Sequence, residues 1–242
     1  MSKLLLVHYI GRFGNLLFIY ARCRAFAEQN GYELCSPPWI GEKIFNIPEA
    51  VRPDPHIKPD LATHDELFQR QEDLIYTRKQ VKQWLTIKPA ILDRLKPLDF
   101  NRKPVMLDIR INHGEATCVR ITWKAYIAAC MKEGYRPECV EWEVNNPGTR
   151  LPSFTGDVNA AGLGTSWVSL PAFYRLMTAK VHFRGVSTFS WWAATLGNAK
   201  VYSPVINGLG LGVDHDQCQF VEGNWPVMSN IAPNTDLHLK EE

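Results

Sequence analysis

Short apolar runs alternate along this chain with stretches in which apolar residues recur every three or four positions. That alternation predicts strands interleaved with helices. Leu4–His8 reads as a first buried strand and runs into a glycine turn. Asn15–Asn30 carries Leu17, Ala21, Ala25 and Phe26 at helical spacing and meets Gly31, a natural C-cap. Tyr32–Cys35 reads as the next strand. Pro37–Pro59 is rich in proline and predicts irregular chain, and helices are predicted at Thr77–Leu85 and Pro89–Leu95.

Lys96–Pro104 is short, polar and bounded by prolines, which makes it the best boundary. A second series follows it. Strands are predicted at Val105–Ile111, Cys139–Val144, Ser153–Thr155, Ala179–Phe183 and Ala199–Ser203, and helices at Thr122–Lys132, Leu170–Thr178 and Ser190–Leu196. The order predicts α/β layers with a largely parallel sheet, in halves spanning 1–100 and 101–228. Residues 229–242 read as a mobile tail or a strap across the first half.

Composition narrows the partners. The 242 residues are 45% hydrophobic and 21% charged, as in ordinary globular proteins. A net charge of +2 is too small to predict a nucleic-acid or membrane surface, but a local basic pocket for a small anion remains open. The apolar start is too short for a signal peptide or membrane span. The six cysteines form no CxxC pair, and no Asn-x-Ser/Thr sequon occurs. Together these predict a reducing, cytoplasmic setting.

Three stretches could carry chemistry. Val186–Ala194 packs Ser187, Thr188, Phe189 and Ser190 with Trp191 and Trp192 where a strand gives way to a helix. A hydroxyl-rich helix start offers unpaired N–H groups and partial positive charge, a cradle for phosphate. The same residues also suit a capped helix whose Trp pair fills the core. Gly11–Asn15 lies between the first strand and helix, where ligands bind in open α/β sheets. Gly11 and Gly14 allow close backbone approach, Arg12 offers fixed charge and Asn15 can bond a sugar hydroxyl; a tight turn with a surface arginine is the plain alternative. Asp108–Glu115 ends a strand whose alternation turns Asp108 and Arg110 to one face. Arg110 can bond phosphate bidentately, unless it forms a buried pair with Asp108, and His113 and Glu115 are possible proton carriers. The glycines of Gly208–Gly212 and Gly162–Gly164 lack the third position of a dinucleotide loop. Asp214–His215–Asp216 fits a short Asp-x-Asp metal pattern that occurs often by chance.

Gly11–Phe18 followed by Tyr20–Ala21 resembles the N-terminal motif of the GDP-fucose-dependent α-1,2-fucosyltransferases (glycosyltransferase family 11), and its Gly-Arg-Phe-Gly-Asn core recurs in protein O-fucosyltransferases. Ser187–Ala194 is similar to the Ser-Thr-Phe-Ser-Trp-Trp-Ala motif of the same family. The family's His-x-Arg motif maps to Asp108–Arg110, with Asp108 in place of the histidine, and Phe154–Asp157 keeps one of two family aspartates, Asp157. The motifs run in family order from Gly11 to Ala194.

The resemblance implies a GT-B-like α/β fold of two Rossmann-like halves facing across a cleft, acceptor side first and nucleotide-sugar side second. It implies inverting, metal-independent transfer of L-fucose from GDP-fucose, the donor substrate, to a glycan acceptor, with no cofactor. Arg110 would meet the phosphate charge beside Ser187, Thr188 and the following amides, here of Phe189 and Ser190. Arg12 and Asn15, with Gly14 between them in sequence, would reach fucose or phosphate, and Asp157 the guanine or ribose. Asp108, His113 and Glu115 are candidate bases. Two other readings fit: a transferase for another nucleotide sugar, with metal at Asp214 and Asp216, and a catalytically silent glycan- or nucleotide-binding protein, which the replaced histidine would suit.

Overall fold

The computed structural model describes residues 3–56, 58–63, 67–69, 71–96, 103–110, 120–136, 139–145, 170–205, 214–215 and 218–223. Residues up to Lys96 gather in one compact unit, and the described residues from Lys103 onward in a second. Among the described residues, no helix is long and apolar enough to cross a membrane.

In the first unit, β1 (Lys3–Leu6) lies between parallel neighbours β2 (Tyr32–Cys35) and β3 (Leu61–Ala62), with Leu4 opposite Glu33 and Leu5 opposite Leu61. Helix α1 (Phe13–Asn30) makes the crossover from β1 to β2 and closes on Gly31. All of Phe13–Ala21 except Asn15 is buried, so the helix start is locked into the core. Leu5 and Val7 pack there against Ile19, Cys23 and Ala27. The proline-rich excursion is irregular but well packed. It holds one helical turn, α2 (Gly41–Ile44), and its buried Trp39 stacks on Tyr9 at 4.8 Å. Helix α3 (Arg78–Trp84) begins with a capping box in which Thr77 and Gln80 satisfy each other's backbone N–H groups. Helix α4 (Pro89–Leu95) starts at a proline, which needs no N–H partner there.

The second unit contains β4 (Val105–Arg110), β5 (Arg120–Ile121), α5 (Trp123–Lys132), β6 (Val140–Asn145), α6 (Leu170–Thr178) and β7 (Val181–Phe183). Then come α7 (Thr188–Leu196), β8 (Lys200–Val205), β9 (Asp214–His215) and β10 (Gln219–Glu222). Five strands form a sheet in the order β10-β8-β7-β4-β6, parallel except for β10, which runs antiparallel along β8. The two-residue strands β5 and β9 pair separately. Val105, Leu107, Val181 and Phe183 meet Tyr126, Ala129 and Cys130 of α5 in one core. On α7, Trp191 and Trp192 are completely buried, their rings edge to face at 5.0 Å, and Phe189 meets Phe173 of α6 at 5.1 Å. The tryptophan pair of the hydroxyl-rich motif is therefore core.

The predicted strand Ser153–Thr155 and tail 229–242 lie outside the described residues, as does most of the predicted linker. Strands β3, β5, β9 and β10 were not among the sequence expectations. Three of them, β3, β5 and β9, have only two residues each, too few for periodicity to register.

Candidate functional site

In the first unit the candidate residues surround the start of α1. Gly11 adopts φ +82°, and a Cβ there would stand 2.3 Å from Asn15 Nδ2. Only glycine turns the chain so tightly onto the Asn15 side chain. Arg12 is the N-cap and is exposed; its side chain makes no capping bond, while its carbonyl accepts the Leu16 N–H at 3.0 Å. Gly14 is buried in the first turn. Half-buried Asn15 accepts a hydrogen bond from Gln69 Nε2 at 3.2 Å, which fixes its amide. The first turn has no acidic residue, so the positive end of the helix and Arg12 share one sign.

In the second unit the site grows from two adjacent parallel strands. Leu107 of β4 and Phe183 of β7 are register partners. Three residues beyond them lie Arg110, the last residue of β4, and Val186, in the turn that opens α7. Both therefore leave the carboxyl end of the sheet, the edge where α/β sheets bind ligands. The Arg110 backbone lies opposite Asn145 of β6; its side chain lies outside the described residues. His113, Glu115 and Asp157 lie outside the described residues.

The α7 start is held by a buried polar network. Ser187 is the N-cap: its Oγ accepts the Ser190 N–H at 3.1 Å and donates to Asp108 Oδ2 at 3.4 Å. Ser190 Oγ accepts the Gly185 N–H at 3.1 Å and lies 3.3 Å from His182 Nε2. Tyr126 Oη donates to the Asp108 carbonyl at 2.7 Å. A Cβ on Gly185 would meet that carbonyl at 2.9 Å and Asp108 Oδ2 at 3.0 Å, so Gly185 is what lets the turn seat against Asp108. Asp108, with 2% exposure, meets the turn from inside at Ser187. Ser187 and Ser190 are likewise buried, and their hydroxyls are engaged inside; Thr188 and Phe189 are half-buried.

Two basic residues that were not among the candidates, Arg184 and His182, sit in this network. Arg184 follows β7, is 2% exposed, and donates from Nε to Ser203 Oγ at 2.7 Å and from Nη1 to the Gly185 carbonyl at 3.1 Å. Burial pushes its pKa down to about 10, against the opposing pull of Tyr126 and Asp108. His182, fully buried in β7, is pushed down to about 3 by burial and then by the charge of Arg184, so it is neutral at working pH. Burial, followed by Asp108, also drives the Tyr126 hydroxyl well above its usual range, which keeps it a donor. The available signal was a histidine and an arginine inside the run Val181–Val186, where a buried strand should be apolar. Gln69 gave no signal.

No protein-family model matches this chain, and no curated protein sequence matches it. Solved structures do. The crystal structure of a NodZ α-1,6-fucosyltransferase soaked with GDP-fucose matches with a TM-score of 0.53 and 11% identity, covering 92% of this chain and 99% of that one. The selenomethionine form of the fucosyltransferase NodZ from Bradyrhizobium gives 0.56 at 11% identity with the same coverage. At that identity the likeness is one of fold: the chain has the mixed α/β, GT-B-like fold of NodZ.

Proposed function

We propose that this chain is an inverting fucosyltransferase that moves L-fucose from GDP-fucose to a hydroxyl of an acceptor glycan, without a metal. The observation that supports the reading is that β4, which ends at Arg110, and β7, which leads into the α7 start, are adjacent parallel strands whose carboxyl ends share one edge, in a fold shared with NodZ. In the reaction the bond between the anomeric carbon and the β-phosphate oxygen breaks while the acceptor oxygen attacks from the opposite face. Negative charge then builds on the departing GDP. Arg110 and the positive end of α7 meet that charge, held in place before the reaction begins. The second unit is the donor side on this reading and the first the acceptor side, with Arg12 and Asn15 contacting fucose or phosphate and Asp157 the nucleoside.

Asp108 acts by seating Ser187 and the turn. Proton acceptance from the acceptor hydroxyl falls to His113 or Glu115. The motifs favour an α-1,2 linkage, and linkage analysis of the product tests it; an α-1,6 product, the linkage of NodZ, would replace it.

Calorimetric titration of GDP and GDP-fucose, without metal and then with Mn²⁺, on wild type and Arg110→Ala tests the donor assignment. Metal-free binding by wild type, weakened in the variant, is expected. Turnover of the variant should fall about 10²–10³-fold with an unchanged melting curve. Normal turnover would remove Arg110 from the reaction, and binding that requires Mn²⁺ would favour the metal-dependent reading.

A further inference from the structure

Gln69 is buried in the first unit, with 7% exposure, and is bonded to Asn15 across 54 residues of sequence. It belongs to the short run Leu67–Gln69, which is fastened to α1 at two points. The Arg22 guanidinium lies over the Phe68 ring, 5.9 Å from its centre, and Gln69 Nε2 donates to Asn15 Oδ1 at 3.2 Å. Asn15 and Arg22 stand about two helical turns apart on one face of α1. Leu67 and Phe68 also pack against the core of Val7, Ile19 and Cys23. In extended chain, successive side chains point to opposite faces. Phe68 instead has φ +49°, a left-handed turn that a bulky residue seldom adopts, and that turn lets Phe68 and Gln69 both meet the helix.

The clamp sets a polarity as well as a position. A carboxamide donates at its nitrogen and accepts at its oxygen, and its neighbours decide which end faces where. Gln69 Nε2 can only donate, so it draws Asn15 Oδ1 toward itself. Asn15 Nδ2 stands at the Gly11 turn, where a Cβ on Gly11 would come within 2.3 Å of it. Gly11 and Arg12 are exposed, and their turn follows the carboxyl end of β1, where α/β sheets bind ligands. We propose that Gln69 is a positioning residue that fixes Asn15 as a hydrogen-bond donor, so that Asn15 meets its ligand at an acceptor oxygen of the phosphate or the sugar. The inference rests on the reading of Asn15 as a contact to GDP-fucose and adds the residue that sets the sense of that contact.

The side-chain amide NMR signals of Asn15, assigned by their loss in Asn15→Ala, follow the orientation directly. In Gln69→Glu the carboxylate can only accept, so the Asn15 amide should turn over and its N–H signals should move downfield without ligand. GDP-fucose should shift the wild-type signals and leave those of Gln69→Glu in place. Gln69→Met is neutral, keeps the length of the side chain and lacks the donor; its affinity for GDP-fucose should fall about three- to tenfold. A merely structural glutamine would lower the melting temperature in Gln69→Met and leave the response of Asn15 to GDP-fucose unchanged. Asn15 signals that do not move in Gln69→Glu overturn the inference. So do signals that stay silent while wild type binds GDP-fucose, and that outcome leaves the fucosyltransferase reading standing. An amide that turns over in Gln69→Glu, in a protein that binds neither GDP-fucose nor GDP, removes that reading and keeps the orientation. If Gln69→Glu does not fold, Gln69→Met decides, and undiminished affinity overturns the inference.

Discussion

The two glycine-bearing turns of this chain look alike in sequence and differ in construction. Each follows a parallel strand and opens a helix, Gly11–Asn15 into α1 and Gly185–Ser190 into α7. At α1 the N-cap is an exposed arginine without a side-chain capping bond, and the packing lies in the apolar first turn. At α7 the cap is a buried serine tied to Asp108, Ser190 and, through Ser190, His182. The first turn displays its polar group and the second encloses most of them. Residue types that suggest ligand contact can equally build the frame that aims a contact, and burial tells the two apart.

A displayed charge that meets the ligand should affect turnover and spare stability. Arg12→Ala is expected to lower transfer from GDP-fucose about 10²-fold, with a stability change within about 0.5 kcal/mol. Steady-state kinetics beside thermal melting checks both. A destabilised variant with normal turnover would make the α1 turn a frame as well. Ser190→Ala is the opposite experiment. It leaves the Gly185 N–H and the His182 ring without their partner in a buried site and should cost about 1–3 kcal/mol in denaturant unfolding. A neutral result would mean that water replaces the hydroxyl.

Much of the fold was legible where turn and capping residues bound each apolar run. Tyr32–Cys35, Pro89–Leu95 and Leu170–Thr178 have the predicted bounds, and α1 differs only by beginning at Phe13, where Gly11 and Arg12 set the entry. The start of α7 was less legible, since Ser187, Thr188 and Ser190 can each cap a helix. Ser187 takes the cap where Asp108, 79 residues earlier in the chain, supports it. The roles of Asp108 and Arg184 could not be read locally either. Alternation along β4 sets Asp108 and Arg110 on one face, and an arginine from the end of β7, Arg184, also feels the Asp108 charge. Neighbouring strands decide which polar side chain in a strand is buried, and no window of sequence contains them.

His182 gives the enclosed turn a signature in pH. Its folded pKa is about 3 against an ordinary 6.5, so the unfolded chain binds the extra proton between those values. Stability from this residue is complete above pH 6.5 and is lost as pH falls toward 3, at about 1.4 kcal/mol per unit. His182→Gln keeps a polar group near Ser190 and removes the titration. Its unfolding free energy should fall less steeply than that of wild type between about pH 6 and pH 4. Parallel slopes would mean that the imidazole titrates normally and that the pocket admits water.

The smallest effect separates the two bonds of Ser187. Its Oγ caps α7 through the Ser190 N–H at 3.1 Å and reaches Asp108 at 3.4 Å, well beyond the usual O–H···O separation. If the cap dominates, Ser187→Ala costs about 1 kcal/mol and Ser187→Gly only a few tenths, because glycine is itself a tolerable N-cap. If the bond to Asp108 matters more, alanine and glycine cost the same, since neither can donate to the carboxylate. Chemical denaturation of the two variants side by side distinguishes these cases. Equal losses would make Asp108 the keystone of the turn. Unequal ones would leave its carboxylate chiefly an electrostatic neighbour of Arg184, present to moderate a buried charge rather than to hold a hydroxyl.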